Sequence, residues 1–100
     1  MHLVSVPSLL KFASKHPDAK QALLAWCDEI KKVRWTRPSD IKAQYANASI
    51  LKNRRVVFNL KGNDYRLIVA VAYNMGFVYV KFVGTHAEYD AVDANTIEQF

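Results

Sequence analysis

The chain has 100 residues, carries a net charge of +5 at neutral pH and contains 51% apolar residues, with few Gly or Pro. This length suits one domain over residues 1–100, and the composition excludes a disordered protein. No apolar run approaches the roughly 20 residues of a membrane helix. The N-terminus lacks the features of a signal peptide, and the single Cys27 argues against a disulfide-built secreted scaffold. We therefore expect a cytoplasmic protein whose partner is acidic, such as RNA, DNA or an acidic protein.

The N-terminal half of the chain is patterned as one strand followed by helices. The alternating segment "HLVSV" predicts a first strand, and a helix is expected to open at Pro7 or Ser8. From Asp18 to about Val33, apolar residues recur at steps of three and four, which predicts a second helix. Together these segments predict a helical hairpin with one face against a sheet. The link that follows is expected to be irregular, with a short helix over Ser39 to Tyr45.

The C-terminal half is patterned as strands. The segments "RRVVFNLKG", "DYRLIVAVAY" and "FVYVKFVG" alternate with period two, and the turn signals Gly62–Asn63 and Met75–Gly76 separate them. They predict a three-stranded antiparallel meander, followed by a tail with one helical turn. The predicted fold class is therefore α+β, with an N-terminal strand and a two-helix hairpin packed on a small antiparallel sheet. The first strand is expected at an edge or beside the third meander strand.

The turn positions predict which residues share a face of the meander. A two-residue turn at Gly62–Asn63 pairs Asn59 with Arg66 and puts six residues on the helix-facing side: Val56, Phe58, Leu60, Tyr65, Leu67 and Val69. A two-residue turn at Met75–Gly76 pairs four couples: Asn74 with Phe77, Ala72 with Tyr79, Ala70 with Lys81, and Ile68 with Val83. This register adds Val78, Val80 and Phe82 to the helix-facing side.

The opposite face of the predicted sheet, here called the outer face, collects positive and amide side chains. The small residues Ala70 and Ala72 would leave its centre hollow. The residues expected around that hollow are Arg55, Asn59, Lys61, Arg66 and Lys81. Such a surface suits the binding of nucleic acid. The alternative is a solvated sheet face whose polar residues have no function.

His86 and Tyr89 follow the third meander strand at a spacing that puts them on one side of a helical turn. Histidine can transfer a proton near neutral pH, and tyrosine can stack on a base or donate a hydrogen bond. The alternative for His86 is a structural role that caps local backbone. The chain shows neither the Cys and His spacing of a zinc site nor a Gly-rich phosphate loop, so no metal or cofactor is expected.

The whole chain resembles HigB-type toxins of the RelE-like superfamily through the ordered combination "VFN…GN.YR…TH.EYD". The resemblance implies a RelE-like α+β fold and cleavage of messenger RNA, typically on translating ribosomes. It also implies a HigA-type antitoxin with a helix-turn-helix domain, which forms a hetero-oligomer with the toxin. The motif positions are Asn59, Asn63, Arg66, His86, Tyr89 and Asp90, with Lys81 as a basic position of variable identity. The tail "NTIEQF" lacks the extra histidine of some branches, which leaves the general base open.

The resulting hypothesis is a metal-independent endoribonuclease in which the 2′-hydroxyl of RNA is the nucleophile. Arg66, helped by Lys81, would hold the phosphate charge, and His86 would be the acid or base. Tyr89 would orient a base or a phosphate, and the residues expected to bind RNA are Asn59, Lys61, Asn63 and Arg55. Two alternatives stay open: a non-catalytic module that binds RNA or an acidic protein, and a ParE-like toxin directed at gyrase.

Overall fold

A five-stranded sheet is the centre of the fold in the computed structural model, which describes residues 1–100. Its strands are β1 (His2–Val4), β2 (Ser49–Ile50), β3 (Arg55–Leu60), β4 (Tyr65–Ala72) and β5 (Phe77–Thr85). Their order is β1-β5-β4-β3-β2, and every neighbouring pair is antiparallel except β1 and β5. The predicted α+β class, the meander and the place of the first strand are confirmed. The sheet is mixed, however, and the two-residue strand β2 was not predicted.

Four helices accompany the sheet. They are α1 (Val6–Lys15), α2 (Lys20–Lys32), α3 (Pro38–Gln44) and α4 (His86–Asp90), and a 3₁₀ turn over Pro17–Ala19 joins the first two. The predicted helical hairpin is confirmed, although the 3₁₀ turn takes the residues with which the second helix was expected to begin. The short helix in the link is present one residue earlier than predicted. None of the helices is long and apolar enough to cross a membrane.

The main core lies between the hairpin of α1 and α2 and the inner face of the sheet. Trp26 of α2 packs edge-on against Phe58 of β3, with 5.4 Å between the ring centroids. All six residues predicted on the helix-facing side of the first meander hairpin are buried, and so are Val78 and Val80. Cys27 is a buried free thiol in the same core.

The second meander hairpin has a different register from the predicted one. Its turn has four residues, 73–76, so that Ala72 pairs with Phe77 and Ala70 with Tyr79. A bulge then pairs Ile68 with Phe82 and leaves Lys81 as the extra residue. An extra residue reverses the alternation beyond it, so Phe82 faces away from the helices and not toward them as predicted. Alternation alone carries no signal for this bulge.

The outer face has a small apolar core of its own, made of Val57, Ile68 and Phe82. The C-terminal strap, residues 91–100, covers this core with Val92, Ala94 and Ile97. The strap also bonds to the edge of β5 beyond the residues that pair with β1, since the Gln99 amide donates to the Lys81 carbonyl at 2.9 Å. Phe82 and the strap fill the part of this face around Val57 and Ile68, whereas Ala70 and Ala72, where the hollow was predicted, stay partly exposed.

Candidate active site

Helix α4 is fixed at the end of β5 by a capping box. The Thr85 hydroxyl accepts from the Glu88 amide at 3.2 Å, and the Glu88 carboxylate accepts from the Thr85 amide at 2.8 Å. These reciprocal bonds satisfy two amides that a helix start leaves without partners. The His86 amide donates to the Asp64 carbonyl at 3.0 Å, which ties α4 to the turn between β3 and β4.

Gly84 permits this close approach of α4 to the sheet. It pairs with Arg66 across β4 and β5. A Cβ atom at this position would lie 2.6 Å from Cζ of Phe82 and 3.2 Å from Cβ of Glu88. Contacts that short require a shift of the Phe82 ring, so glycine is the residue that lets α4 begin beside the arginine.

Arg66 is the most enclosed cation near α4, with 9% of its surface exposed. Its Nη1 donates to the Asn63 carbonyl at 3.1 Å and to the Tyr65 carbonyl at 3.4 Å. Its Cζ lies 5.5 Å from the ring centroid of Tyr89, a cation–π distance. None of the five salt bridges of the protein includes Arg66. Its positive charge is therefore oriented but lacks a counter-charge.

His86 is the first residue of α4, and its side chain is 48% exposed. Its Nδ1 lies 3.1 Å from Oδ2 of Asp90, one helical turn further on. A neutral imidazole that donates from Nδ1 presents Nε2 as an acceptor. The short distance puts the Asp90 carboxylate beside Nδ1, and a ring that is protonated at Nδ1 has Nε2 available as an acceptor. Sequence reasoning included Asp90 as a motif position and missed this contact, although the four-residue spacing on a helical turn could have indicated it.

We use the name open end of the outer face for Arg66, for its neighbours Asn59, Asn63 and Tyr89, and for His86 at the start of the helix that carries Tyr89. Asn59 is exposed and pairs with Arg66 across β3 and β4, as predicted. Asn63 is exposed in the adjoining turn and supplies the carbonyl that Arg66 contacts. Tyr89 packs on the small core of the outer face.

Lys61 lies apart from the open end. Its Nζ is 3.0 Å from Oδ2 of Asp18, in the 3₁₀ turn beside the helices. The Tyr65 hydroxyl donates to the same carboxylate at 2.6 Å. Both hydrogen bonds lower the pKa of Asp18, and the bond from Tyr65 has the larger effect. The Asp18 carboxylate in turn raises the pKa of Tyr65 to about 12. Lys61 therefore takes part in polar contacts that join the 3₁₀ turn of the helical layer to the sheet.

Arg55 and Lys81 lie on the outer face, but the strap engages both. Nη1 of Arg55 donates to the carbonyls of Ala94 at 3.3 Å and Ile97 at 2.7 Å. The Glu98 carboxylate accepts from Nη2 of Arg55 at 2.7 Å and lies 2.9 Å from Nζ of Lys81. Both cations lower the pKa of Glu98, and Lys81 has the larger effect. Sequence reasoning missed Glu98, because its partners lie far away in the chain.

No group of three or more His, Cys, Asp or Glu side chains in the protein has the arrangement of a metal site. What the open end does offer is an imidazole beside a carboxylate and a guanidinium without a salt-bridge partner. That combination can transfer a proton and stabilise negative charge.

Comparison with known proteins agrees with the resemblance in the sequence. The model of the HigB toxin family, described as the RelE-like toxic component of a toxin–antitoxin system, matches residues 19–92. The mRNA interferase toxin HigB of Escherichia coli K12 is 33% identical over 92 residues, which cover 90% of this chain and 88% of that protein. The mRNA interferase HigB of Escherichia coli O6:H1 is 28% identical over 92 residues, which cover 90% and 89%. This chain therefore belongs to the HigB family of RelE-like toxins, the toxic component of a toxin–antitoxin system.

Proposed function

We propose that the chain is an endoribonuclease, an mRNA interferase that cleaves messenger RNA at the open end of the outer face. The observation that carries this proposal is the Arg66 guanidinium, which is enclosed, oriented by two carbonyls and without a carboxylate partner. It shares the open end with His86 and Tyr89. The activity is that of the relatives, which are named mRNA interferases.

The reaction we propose needs no metal, because RNA brings its own nucleophile. Nε2 of His86 accepts the proton of the 2′-hydroxyl while Asp90 holds the ring through Nδ1. The 2′-oxygen then attacks the phosphorus, and Arg66 stabilises the negative charge that develops on the phosphate oxygens. The bond to the 5′-oxygen breaks, and that oxygen takes a proton from solvent. The products are a 2′,3′-cyclic phosphate and a free 5′-hydroxyl.

The other residues of the open end bind and orient the RNA in this proposal. Tyr89 keeps the guanidinium of Arg66 in place through its ring face, and it can also stack on a base. The exposed amides of Asn59 and Asn63 are available to the RNA backbone. Roles in RNA binding for Arg55 and Lys61, and a role in catalysis for Lys81, stay predictions, since a carboxylate already engages each of them.

We further propose that the inhibitor is a HigA-type antitoxin with a helix-turn-helix domain, bound in a hetero-oligomer. The family supports an antitoxin as the partner, since its description is the toxic component of a toxin–antitoxin system. The proposed substrate is messenger RNA on translating ribosomes in the cytoplasm. A net charge of +5 favours approach to ribosomal RNA, which is densely anionic.

The test is induced expression with and without the gene of the antitoxin, followed by mapping of RNA ends. Codon-linked cuts that the antitoxin suppresses are the expected result. We expect His86→Ala and Arg66→Ala to lose both the cuts and the growth arrest. The thermal midpoint should be unchanged in His86→Ala and lower by about 8 °C or less in Arg66→Ala, so that both variants stay folded at the growth temperature. The matched controls are His2→Ala and Arg37→Ala, which alter exposed side chains elsewhere. Full toxicity of both test variants would contradict these roles. Binding of RNA without cuts would favour the binding module.

A further inference from the structure

The Glu98 carboxylate lies in a cradle of two fixed cations. Nη2 of Arg55 is 2.7 Å from one of its oxygens, and Nζ of Lys81 is 2.9 Å from the other. The Arg55 side chain is only 8% exposed, whereas that of Glu98 is 54% exposed. The cations are therefore built into the sheet, and the anion comes from the exposed end of the strap.

Contacts other than those with Glu98 also hold the two cations of the cradle. Nη1 of Arg55 is held by the carbonyls of Ala94 and Ile97, which leaves Nη2 directed at the carboxylate position. Lys81 is held at the bulge of β5, with Nζ 5.8 Å from the ring centroid of Tyr79. Rotation of the Glu98 side chain into solvent would expose both donors without moving the backbone of the strap.

The donors of the cradle match a phosphate as well as a carboxylate. A guanidinium and an ammonium bind the oxygens of either group through charge-assisted hydrogen bonds. The cradle also lies on the same face of the sheet as Arg66. Arg55 pairs with Ala70, four residues along β4 from Arg66, so the two arginines are about 13 Å apart along the strand. A single strand of RNA spans such a distance in a few nucleotides.

We propose that Arg55 and Lys81 form a second phosphate-binding subsite for RNA, which the Glu98 carboxylate occupies in the free protein and which an RNA phosphate takes over on binding. The inference rests on the proposed function, because it names a further contact of the same substrate. Glu98 competes with the phosphate and so lowers the affinity for RNA.

The test measures binding of a short single-stranded 2′-O-methyl RNA, which has no nucleophilic 2′-hydroxyl and is not cut. We expect Glu98→Gln to bind about fivefold more tightly than the wild type at low salt, because a competing charge is removed. Its affinity should also fall more steeply with salt, by about 0.7 in the logarithmic slope for one added phosphate contact. The matched control is Asp93→Asn. It removes the same charge from the same strap, and Asp93 forms no salt bridge.

A second variant links any gain to the cradle. Lys81→Gln added to Glu98→Gln should reverse the gain, because it removes one of the two donors. A gain no larger than that of Asp93→Asn, or weaker binding by Glu98→Gln at an unchanged thermal midpoint, would overturn the subsite. Failure of every variant to bind the oligonucleotide would overturn it as well. Cuts in translated messenger are measured separately, so this failure would leave the proposed function standing.

Discussion

Two arginines on the same face of the sheet are almost equally buried and have different surroundings. Arg55 is 6% exposed and Arg66 is 9% exposed, and each donates to two backbone carbonyls. Arg55 also has a carboxylate, that of Glu98, whereas Arg66 has an aromatic ring and no carboxylate. Enclosing a charge without a counter-charge is costly. Arg66 lacks the carboxylate partner that Arg55 has, and this difference, not burial as such, is the basis of our proposal that Arg66 binds the scissile phosphate.

The path of the chain after β5 produces this difference. Gly84 and the capping box at Thr85 start α4 beside Arg66, where His86 and Tyr89 then lie. The strap leaves α4, crosses the outer face, contacts Arg55 through Ala94, Ile97 and Glu98, and ends along the edge of β5. The same segment of about fifteen residues thus supplies residues of the candidate site at one end of the face and covers the other end.

The largest expected effect is on the rate of RNA cleavage, which should fall much more when Arg66 is replaced than when Arg55 is. Arg66→Met should lower the rate of cleavage of translated messenger by about 10²- to 10³-fold, because it removes the group that stabilises the phosphate charge. Arg66→Lys should recover part of the loss, since it keeps the charge without the planar fork. Arg55→Met should lower the rate of cleavage by about tenfold or less when the proteins are compared at equal folded fraction. Equal losses at both positions would remove the distinction.

The loss of stability should be larger for replacement of Arg55 than of Arg66, which is the opposite of the order expected for the cleavage rate. Arg55→Met leaves the carbonyls of Ala94 and Ile97 without their donor, so we expect the free energy of unfolding to fall by about 2 kcal/mol. Arg66→Met should cost about 1 kcal/mol, because the Asn63 carbonyl lies in an exposed turn that water can reach. Urea unfolding followed by tryptophan fluorescence measures both values. A larger loss for Arg66→Met would mean that the Arg66 end is the structural one.

A smaller effect concerns the pair that orients the imidazole. Asp90→Asn should lower the cleavage rate about tenfold with little change in stability, because the carboxylate that holds Nδ1 of His86 is lost. Asp64→Asn is the matched control, since Asp64 contacts α4 only through its backbone carbonyl. Equal rates for the two variants would show that Asp90 does not act through His86.

The smallest effect is the acid sensitivity of the strap. Lys81 and Arg55 hold the pKa of Glu98 below its ordinary value of 4.5. A carboxyl whose pKa is lowered by folding stabilises the protein above its unfolded pKa, and this contribution is lost as the pH falls through the folded value. Below about pH 4.5 the wild type should therefore lose stability faster than Glu98→Gln. Parallel curves of unfolding free energy against pH would contradict this contribution.

The sequence was sufficient to predict that Asn59 lies opposite Arg66, but not the contacts that cover the other end of the face. The two-residue turn at Gly62–Asn63 and the alternation of β3 and β4 place Asn59 opposite Arg66, and both signals are local. The covered end depends on contacts between distant residues: Glu98 lies 43 residues from Arg55 in the chain. The alternation of apolar and polar residues along β5 does not indicate the bulge at Lys81 either. Composition therefore identifies the cations, and only tertiary structure shows which of them is already paired.

The most direct test of the central claim is an experimental structure of the protein with an RNA whose scissile 2′-hydroxyl is methylated. The account predicts that the scissile phosphate contacts the guanidinium of Arg66 and that Nε2 of His86 faces the 2′-oxygen. A scissile phosphate bound on the helical layer, or away from Arg66 and His86, would contradict it.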